Sequence, residues 1–484
     1  MTVLLVTFEA LRLLLRGMLV VLVLHFLRSA WTSARQPRGA KPLKPAAWPR
    51  VTIQLPVRNE YYVVERVIRA AAALDYPRDK LQIQVLDDST DATRDRAKAL
   101  TEALRAEGID IEYVARERPV GFKAGALNNG LRTATGEFLA MFDADCVPAP
   151  DFLQRVIPYF SESDVGCVQV RWSFSNRNRS LLTRVQAIVL DGLFVVDQFA
   201  RARAGIPLQF NGTNGVWRRS AIEAAGGWGE EILAEDADLS FRAYLVGQRV
   251  VHVRDYAVPT EIPEDMAAFR AQQRRWALGS AQMLRSLSLR ILRARIPLRA
   301  KFMMFMHMGR HAIDPLILLA CLTSPFTTLY DMPYLIDYGT WSNAGVMVLV
   351  GASCAVFYGA ALKRSGARLR EVLLTPLVIA LAIGLSLVYT LAFVSGIFSR
   401  GGSFVRTPKA GDEAVRSEGP RYLAPRDAVA VLEVLLAGAH VYFAWRAASV
   451  GIWAYAGFFA AVAASFGWVG LGTLSSVGVG RTTK

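Results

Sequence analysis

The sequence is poor in the residues that build metal and redox centres. Its 484 residues include 4 cysteines and 5 histidines. Cys146, Cys167, Cys321 and Cys354 have neither metal-ligand nor redox spacing, and the last two lie inside apolar runs. They read as small buried hydrophobes, not as ligands or disulfide partners. With no histidine-rich constellation, zinc chemistry is not expected. No G-x-G-x-x-G follows the first strand-like segment. Pro56-Val57-Arg58-Asn59-Glu60 stands there instead, so the dinucleotide-binding fingerprint is absent. The apolar N-terminal run has no basic leader region and no small-residue cleavage site, so no secretory signal is expected. No internal repeat or low-complexity tract is present. The net charge of +15 is spread along the chain, often beside apolar runs, and is not gathered in a stripe with interleaved aromatics. No nucleic-acid partner is expected.

What is present is oil and positive charge together. The chain is 53% hydrophobic yet carries 56 lysines and arginines. That combination suggests an integral membrane protein, of the cytoplasmic or inner membrane, with cationic loops on the cytoplasmic side. Residues 3–27 suit one tilted membrane helix or an in-plane amphipathic one. Arg28, Arg35, Arg38, Lys41, Lys44 and Arg50 follow, which places the N-terminus outside and the next segment in the cytoplasm. Residues 1–49 are thus read as a membrane helix with a basic linker.

From 50 to 262 the character changes. Strand-like segments at 51–55, 83–86, 111–114, 137–142 and 165–170 alternate with helical stretches at 60–73, 91–107 and 123–132. The alternation predicts a mostly parallel sheet covered on both faces. Residues 263–300 read as an amphipathic interfacial helix. Apolar runs at 302–329, 343–362 and 372–398 make 301–398 a membrane region. A polar loop fills 399–427, and runs at 428–447 and 450–476 make 428–484 the C-terminal membrane helices. The run 372–398 begins after a basic loop and holds Gly384, Ser386, Tyr389, Thr390 and Ser395. It is predicted to be re-entrant, broken or interfacial, not a simple span.

The chemistry centres on Phe142-Asp143-Ala144-Asp145. A short buried strand ends in two carboxylates at i, i+2, which share a face on an extended backbone. In an open α/β sheet that edge binds ligands, and a hard divalent cation takes one or two carboxylates plus substrate phosphates. Asp88 ends another strand at the same edge. Lys123 is placed to reach a diphosphate. Asp236 starts the helix over 236–245, where the helix dipole should keep it ionised and able to accept a proton. Gln272, Arg275 and Trp276 share one helical face, with Arg275 suited to bidentate phosphate pairing and Trp276 to stacking on a sugar. Singly, each has a plainer reading. These are an acidic turn for the Asp pair, a helix surface for Lys123 and a helix start for Asp236. Trp276 suits a membrane-interface anchor, Arg275 a snorkelling cation and Asp88 a turn. Their conjunction in this order argues for a nucleotide-sugar transferase.

Asp87-Asp88, Asp143-Ala144-Asp145, Glu235-Asp236 and Gln272-x-x-Arg275-Trp276 together resemble the D, DxD, (S/T)ED, QxxRW signature of processive family 2 glycosyltransferases. The chain is most similar to cellulose-synthase-like mannan and glucomannan synthases and their bacterial relatives. The resemblance covers roughly 50–280 and the loop 404–409. It implies an α/β GT-A catalytic domain with a Rossmann-like mixed sheet, inserted between the helices of a multi-span membrane region. It also implies an inverting mechanism and a UDP-sugar or GDP-sugar donor. It makes Asp88 and Lys123 donor contacts, Asp143 and Asp145 the phosphate and metal site for Mg2+ or Mn2+, and Asp236 the general base. Gln272, Arg275 and Trp276 become the diphosphate and acceptor clamp, and Asn211, Gly212 and Thr213 lie near the acceptor terminus. Phe404, Thr407 and Lys409 resemble a gating loop that closes over the donor. Ala234 departs from the usual Ser or Thr of its triplet. The expected activity is hexosyl transfer to a growing β-linked glucan, mannan or glucomannan, with translocation of the product through the membrane helices. The alternatives are a single-transfer glycolipid synthase and a non-catalytic transporter or scaffold. UDP is favoured as the nucleotide by analogy with glucan synthases. Membrane lipid is the remaining expected partner.

Overall fold

The computed structural model describes residues 2–35, 42, 44–330, 339–399, 409, 411, 420, 422 and 428–476. Seven strands form one sheet in the order β3-β2-β1-β4-β6-β5-β7. They are β1 Val51–Val57, β2 Leu81–Asp87, β3 Ile111–Ala115, β4 Phe138–Met141, β5 Val165–Phe174, β6 Gly215–Arg218 and β7 Arg249–Thr260. The first five fall where the alternation predicts them. The last two escape it for physical reasons: β6 is four residues long, and β7 carries Arg249, His252, Arg254 and Asp255, which hide its apolar positions. β6 runs antiparallel to both β4 and β5, so the sheet is mixed.

Around the sheet lie α2 Val64–Ala72, α3 Thr93–Ala106, α4 Phe122–Leu131, α5 Phe152–Val156, α6 Leu181–Asp191, α7 Gln198–Arg203, α8 Arg219–Ala224 and α9 Glu235–Leu245. Because both faces are covered, β1 is buried almost throughout. Ile53, Leu55 and Val57 join Val64, Val67, Ile68 and Ala97 in one core. The alternate residues are polar and bonded across the strands: Thr52 Oγ1 donates to Gln82 Oε1 at 2.8 Å and Gln54 Nε2 to Gln84 Oε1 at 3.1 Å. Buried polar groups tied in this way fix the β1–β2 register. The strand order reverses between β1 and β4, which opens a crevice at the C-terminal ends of the parallel strands.

Helix α1 spans Thr2–Arg35. After the sheet come α10 Met266–Arg293, α11 Leu298–Met308, α12 Asp314–Leu329, α13 Gly339–Ser365, α14 Thr375–Gly384, α15 Ser386–Phe398, α16 Val429–Ser449 and α17 Trp453–Leu474. Among the described residues five helices are long and apolar enough to cross a membrane: Glu9–Arg35, Arg310–Leu329, Gly345–Ser365, Val429–Ser449 and Trp453–Leu474. They mark an integral membrane protein. The apolar run 302–329 is not one unit. It breaks at Gly309, and α11 packs Met304 and Met308 against Phe241 of α9 and Met283 of α10. The run 372–398 is also broken. Its halves, Leu369–Gly384 and Ser386–Phe398, are bent by 47°. Glu371, at the start of this bent pair, is ion-paired at 2.8 Å with Arg177 of the sheet half. At its other end Ser399 O accepts from Arg285 of α10 at 2.6 Å.

Candidate active site

A cleft of about 260 Å³ opens at the C-terminal strand edge, and it contains side chains from every motif named above. Lining it are Asp88, Lys123, Asp143, Asp145, Asp236, Gln272, Arg275 and Trp276, with Asn211, Gly212, Thr213 and Lys409. Phe404 and Thr407 lie outside the described residues. Seven stretches far apart in sequence therefore converge on one space.

The carboxylates of Asp88, Asp143 and Asp145 are each matched by a cation. Asp88 follows β2 and is gripped by Arg116, whose Nε reaches Oδ1 at 3.0 Å and whose Nη2 reaches Oδ2 at 2.5 Å. The neighbouring Asp87 is structural, accepting from Tyr113 Oη at 2.7 Å and from Ser89 N at 2.8 Å. Asp143 is ion-paired with Lys123, and its backbone N–H donates to Thr213 Oγ1 at 2.8 Å. Lys123 also donates to Gly212 O at 2.9 Å. Asp145 Oδ2 accepts from Thr260 Oγ1 at 2.6 Å, Glu261 N at 2.9 Å and Lys409 Nζ at 2.7 Å. Burial opposes its charge, yet Lys409 and these donors hold the carboxyl below its ordinary range.

The two residues of the DxD motif do not project together from a strand. β4 ends at Met141, and both carboxylates lie in the turn beyond it, one against Lys123 and the other against Lys409. The motif marks the edge correctly, but the turn, not strand pleat, decides where each carboxylate points.

The opposite wall is built differently. Glu235 and Asp236 open α9, and among the described residues neither has an ion pair. Ala234 precedes them without a side-chain cap, so Asp236 Oδ1 instead accepts from the N–H of Ala237 at 2.8 Å. A larger residue at 234 would press on α10, because a Cβ added at Gly279 would already meet Ala234 Cβ at 2.8 Å. The helix dipole does not set the charge state here as the sequence suggests. Burial dominates and raises Asp236 above its ordinary value, against the Ala237 N–H and Lys123. Glu235 is pushed up to about 7 by burial and then by Asp236. Lys123 feels burial in the other direction, but Asp143, Glu235 and Asp236 outweigh it and hold its ammonium above the usual value. Gly212 faces this corner at φ +83°, and a Cβ there would come within 3.1 Å of Asp236 Oδ2. Glycine is required at that position by backbone and by space.

Helix α10 closes the cleft. Asp265 caps it through the N–H of Ala268 at 2.8 Å, and Gln272, Arg275 and Trp276 face inward. Gln273, on another side, accepts from Tyr389 Oη at 2.8 Å and ties α10 to α15. Burial lowers the Arg275 guanidinium from its ordinary value, while Glu235, Asp143 and Asp236 pull it back. Asn211 is caged: its Nδ2 donates to Gln169 Oε1 at 2.8 Å, and its Oδ1 accepts from Gln198 Nε2 at 3.0 Å. Its amide shapes the loop more than it offers itself to a ligand.

The sequence reading misses Arg116, Trp172, Glu261 and Phe194. Trp172 lies at the end of β5 and lines the cleft 5.1 Å from the Phe194 ring, its buried indole N–H unpaired. Arg116, just past the third strand, lies opposite the Asp of the second, a cross-strand signal that was available.

Among the described residues no three His, Cys, Asp or Glu side chains gather to hold a metal alone. Asp143 and Asp145 do suit a hard cation in donor chemistry. Both are already balanced by lysines, so an added dication fits only with a polyanion that brings its own charge.

Residues 49–279 match the sequence profile of the family described as "Glycosyltransferase like family 2". The chain is 41% identical over 278 residues to a probable glucomannan 4-beta-mannosyltransferase 7 of Oryza sativa subsp. japonica, covering 56% of this chain and 48% of that protein. It is 33% identical over 412 residues to glucomannan 4-beta-mannosyltransferase 7 of Arabidopsis thaliana, covering 82% of this chain and 72% of that protein. The chain thus spans about half the length of the rice relatives it matches. In structure it resembles the mannosyltransferase PcManGT from Pyrobaculum calidifontis, solved with GDP-Man and Mn2+, with a TM-score of 0.56 at 22% identity over 81% of this chain and 99% of that one. That likeness shows the fold.

Proposed function

We infer, given that this chain belongs to glycosyltransferase family 2, that its cleft transfers a hexose from a nucleoside-diphosphate donor to the end of a β-linked glycan of the mannan or glucomannan type. The observation that carries this reading is one cleft that holds three cation-paired carboxylates together with Glu235 and Asp236, which have no ion pair among the described residues. On the donor wall, Lys123 and Arg275 bind the diphosphate and Asp88 accepts from the base or ribose. Asp143 and Asp145 would hold a divalent cation, Mg2+ or Mn2+, jointly with the donor; when bound, the ion neutralises charge on the departing diphosphate. At the opposite wall Asp236 takes the proton of an acceptor hydroxyl. The hydroxyl oxygen bonds to the anomeric carbon from the face opposite the diphosphate. The bond from that carbon to the phosphate oxygen breaks, and the leaving group departs with the electron pair towards Arg275 and Lys123. Inversion follows from a single displacement. Trp276 and Trp172 offer aromatic faces to the acceptor sugars, which favours a chain acceptor over a single lipid-linked sugar.

The first expectation for the nucleotide is UDP, but the relatives' names weigh towards mannose, and we take GDP-mannose as the donor. The chain reconstituted with labelled GDP-mannose and UDP-glucose is expected to give polymer from GDP-mannose. A single lipid-linked product would favour the glycolipid synthase, and no transfer from either donor would overturn the reading.

The membrane arrangement follows from contacts at both ends of the bent pair. Glu371 meets Arg177 before it, and Lys409 meets Asp145 after it, so both flanks belong on the side of the catalytic half. These contacts support a pair that enters and returns without crossing, and the basic loop over 363–370 favours the cytoplasm for that side. Cysteines at 366 and 403 should be labelled from the same face; labelling from opposite faces would refute this.

A further inference from the structure

A second cavity of about 130 Å³ lies among α1, α7 and α11, lined by His25, Arg28, Ser29 and Thr32 of α1 and by Arg201 and Arg203 of α7. None of these residues belongs to the cleft. Arg28 and Arg203 are exposed, and Arg28 has no hydrogen bond or ion pair among the described residues. The carboxylate behind the cavity is spoken for: Asp197 Oδ1 is 2.8 Å from His25 Nε2, and Oδ2 is 3.4 Å from Arg201 Nη1. The opening therefore presents positive charge, with the hydroxyls of Ser29 and Thr32 beside it.

Its surroundings decide what kind of anion it suits. The α1 positions belong to a segment long and apolar enough to cross a membrane. Arg28 lies seven residues before the helix end, about 10 Å along the axis. Trp31, 57% exposed with Arg35 stacked 4.6 Å over its ring, marks the interfacial level. Leu24 and Leu27 on α1 and Phe302 on α11 are exposed apolar side chains nearby in sequence to the lining residues. Cations and hydroxyls at headgroup depth, above apolar surface, match a phosphate that carries acyl chains.

We propose that this cavity binds the phosphate group of an anionic membrane phospholipid. Its inner wall also touches the reaction apparatus at one remove, because Arg201 Nη1 donates to Gln209 Oε1 at 3.0 Å and Gln209 lines the cleft beside Asn211.

The test is lipid retention by the full chain, measured by native mass spectrometry from detergent containing equal phosphatidylglycerol and phosphatidylcholine of matched chains. The wild type should retain phosphatidylglycerol in preference. Each arginine near the surface contributes about fivefold, so Arg28→Gln should lower the preference about fivefold and Arg28→Gln with Arg203→Gln further, while Arg28→Lys keeps most of it. Equal retention of the two lipids by the wild type, or an unchanged preference in the double variant, would overturn the proposal. Inorganic phosphate added at millimolar concentration should leave the lipid in place. Its displacement would assign the cavity to a free anion and overturn the lipid assignment.

Discussion

The two walls of the cleft treat the same functional group in opposite ways. On the donor side Asp88, Asp143 and Asp145 are each gripped by a cation, Arg116, Lys123 and Lys409. On α9 Glu235 and Asp236 are half-buried with no ion pair among the described residues, and desolvation raises both pKa values. The difference separates two kinds of work. A carboxylate held by a cation is fixed in its charged form and suits a structural or cation-exchanging role. An unpaired, desolvated carboxylate has increased basicity and an open lone pair, as a proton acceptor needs. Motif spacing alone does not distinguish them, since both walls appear in the sequence as adjacent acidic residues at the end of an element.

The sharpest break of this comparison is Asp236→Asn. It should lower transfer by about a thousandfold, the middle of the range for a general base, while nucleotide binding measured by calorimetry stays near wild type. Residual turnover close to wild type would move the base elsewhere. On the paired wall, Arg116→Ala leaves Asp88 buried without its cation and should cost about 3 kcal/mol of stability. The measurement is denaturant unfolding, and adding Asp88→Ala should restore part of the loss; no restoration would mean that Arg116 acts through its hydrogen bonds to the carbonyls of Val120, at 2.6 Å, and Phe122, at 3.0 Å, instead. Lys409→Met should lower severalfold the divalent concentration giving half-maximal activity, because the ammonium and the cation compete for Asp145. An unchanged half-saturation would make Lys409 a permanent partner. The smallest effect expected is on pH. Transfer requires ionised Asp236, so kcat/KM should rise with pH through an acid limb placed above the ordinary carboxylate range. Glu235, pushed up to about 7 by burial and by Asp236, should add a second limb near that pH, and Glu235→Gln should remove it while the Asp236 limb stays. A second limb that persists in the variant would belong to another group.

The cleft-lining positions were legible because they sit where secondary structure ends. Asp88, Asp143 and Asp236 punctuate strand tips and a helix start, and Gln272, Arg275 and Trp276 follow helical spacing. The partners were less legible, since Lys409 meets Asp145 across 264 residues and no local pattern encodes that pairing. Hydropathy found the apolar runs but not their fates. Met304 and Met308 are as apolar as a membrane span requires, yet they pack on α9 and α10 of the catalytic half. The charge state of Asp236 was misjudged because a helix dipole is visible in sequence while the burial that outweighs it is not. β6 and β7 were missed because a sheet supplies neighbours that a short or charged strand cannot advertise alone.

Between α6 and α7 the chain makes one wide turn, a π-helix over Gly192–Asp197. A π-turn takes an extra residue without breaking the helix, and here that residue sets the phase of everything after it. Asp197 then faces His25 and Gln198 faces Asn211, while Gly192 sits where a Cβ would meet the Phe357 ring at 2.6 Å. In the language of coding sequence, this is a fixed insertion. Removing one codon between 192 and 197 would leave a continuous helix of ordinary pitch, yet would rotate the downstream side chains by about 100° relative to those before it. The contacts of Asp197 and Gln198 thus stay in register with those of α6 and Gly192 only because the helix is one residue longer than regular geometry needs.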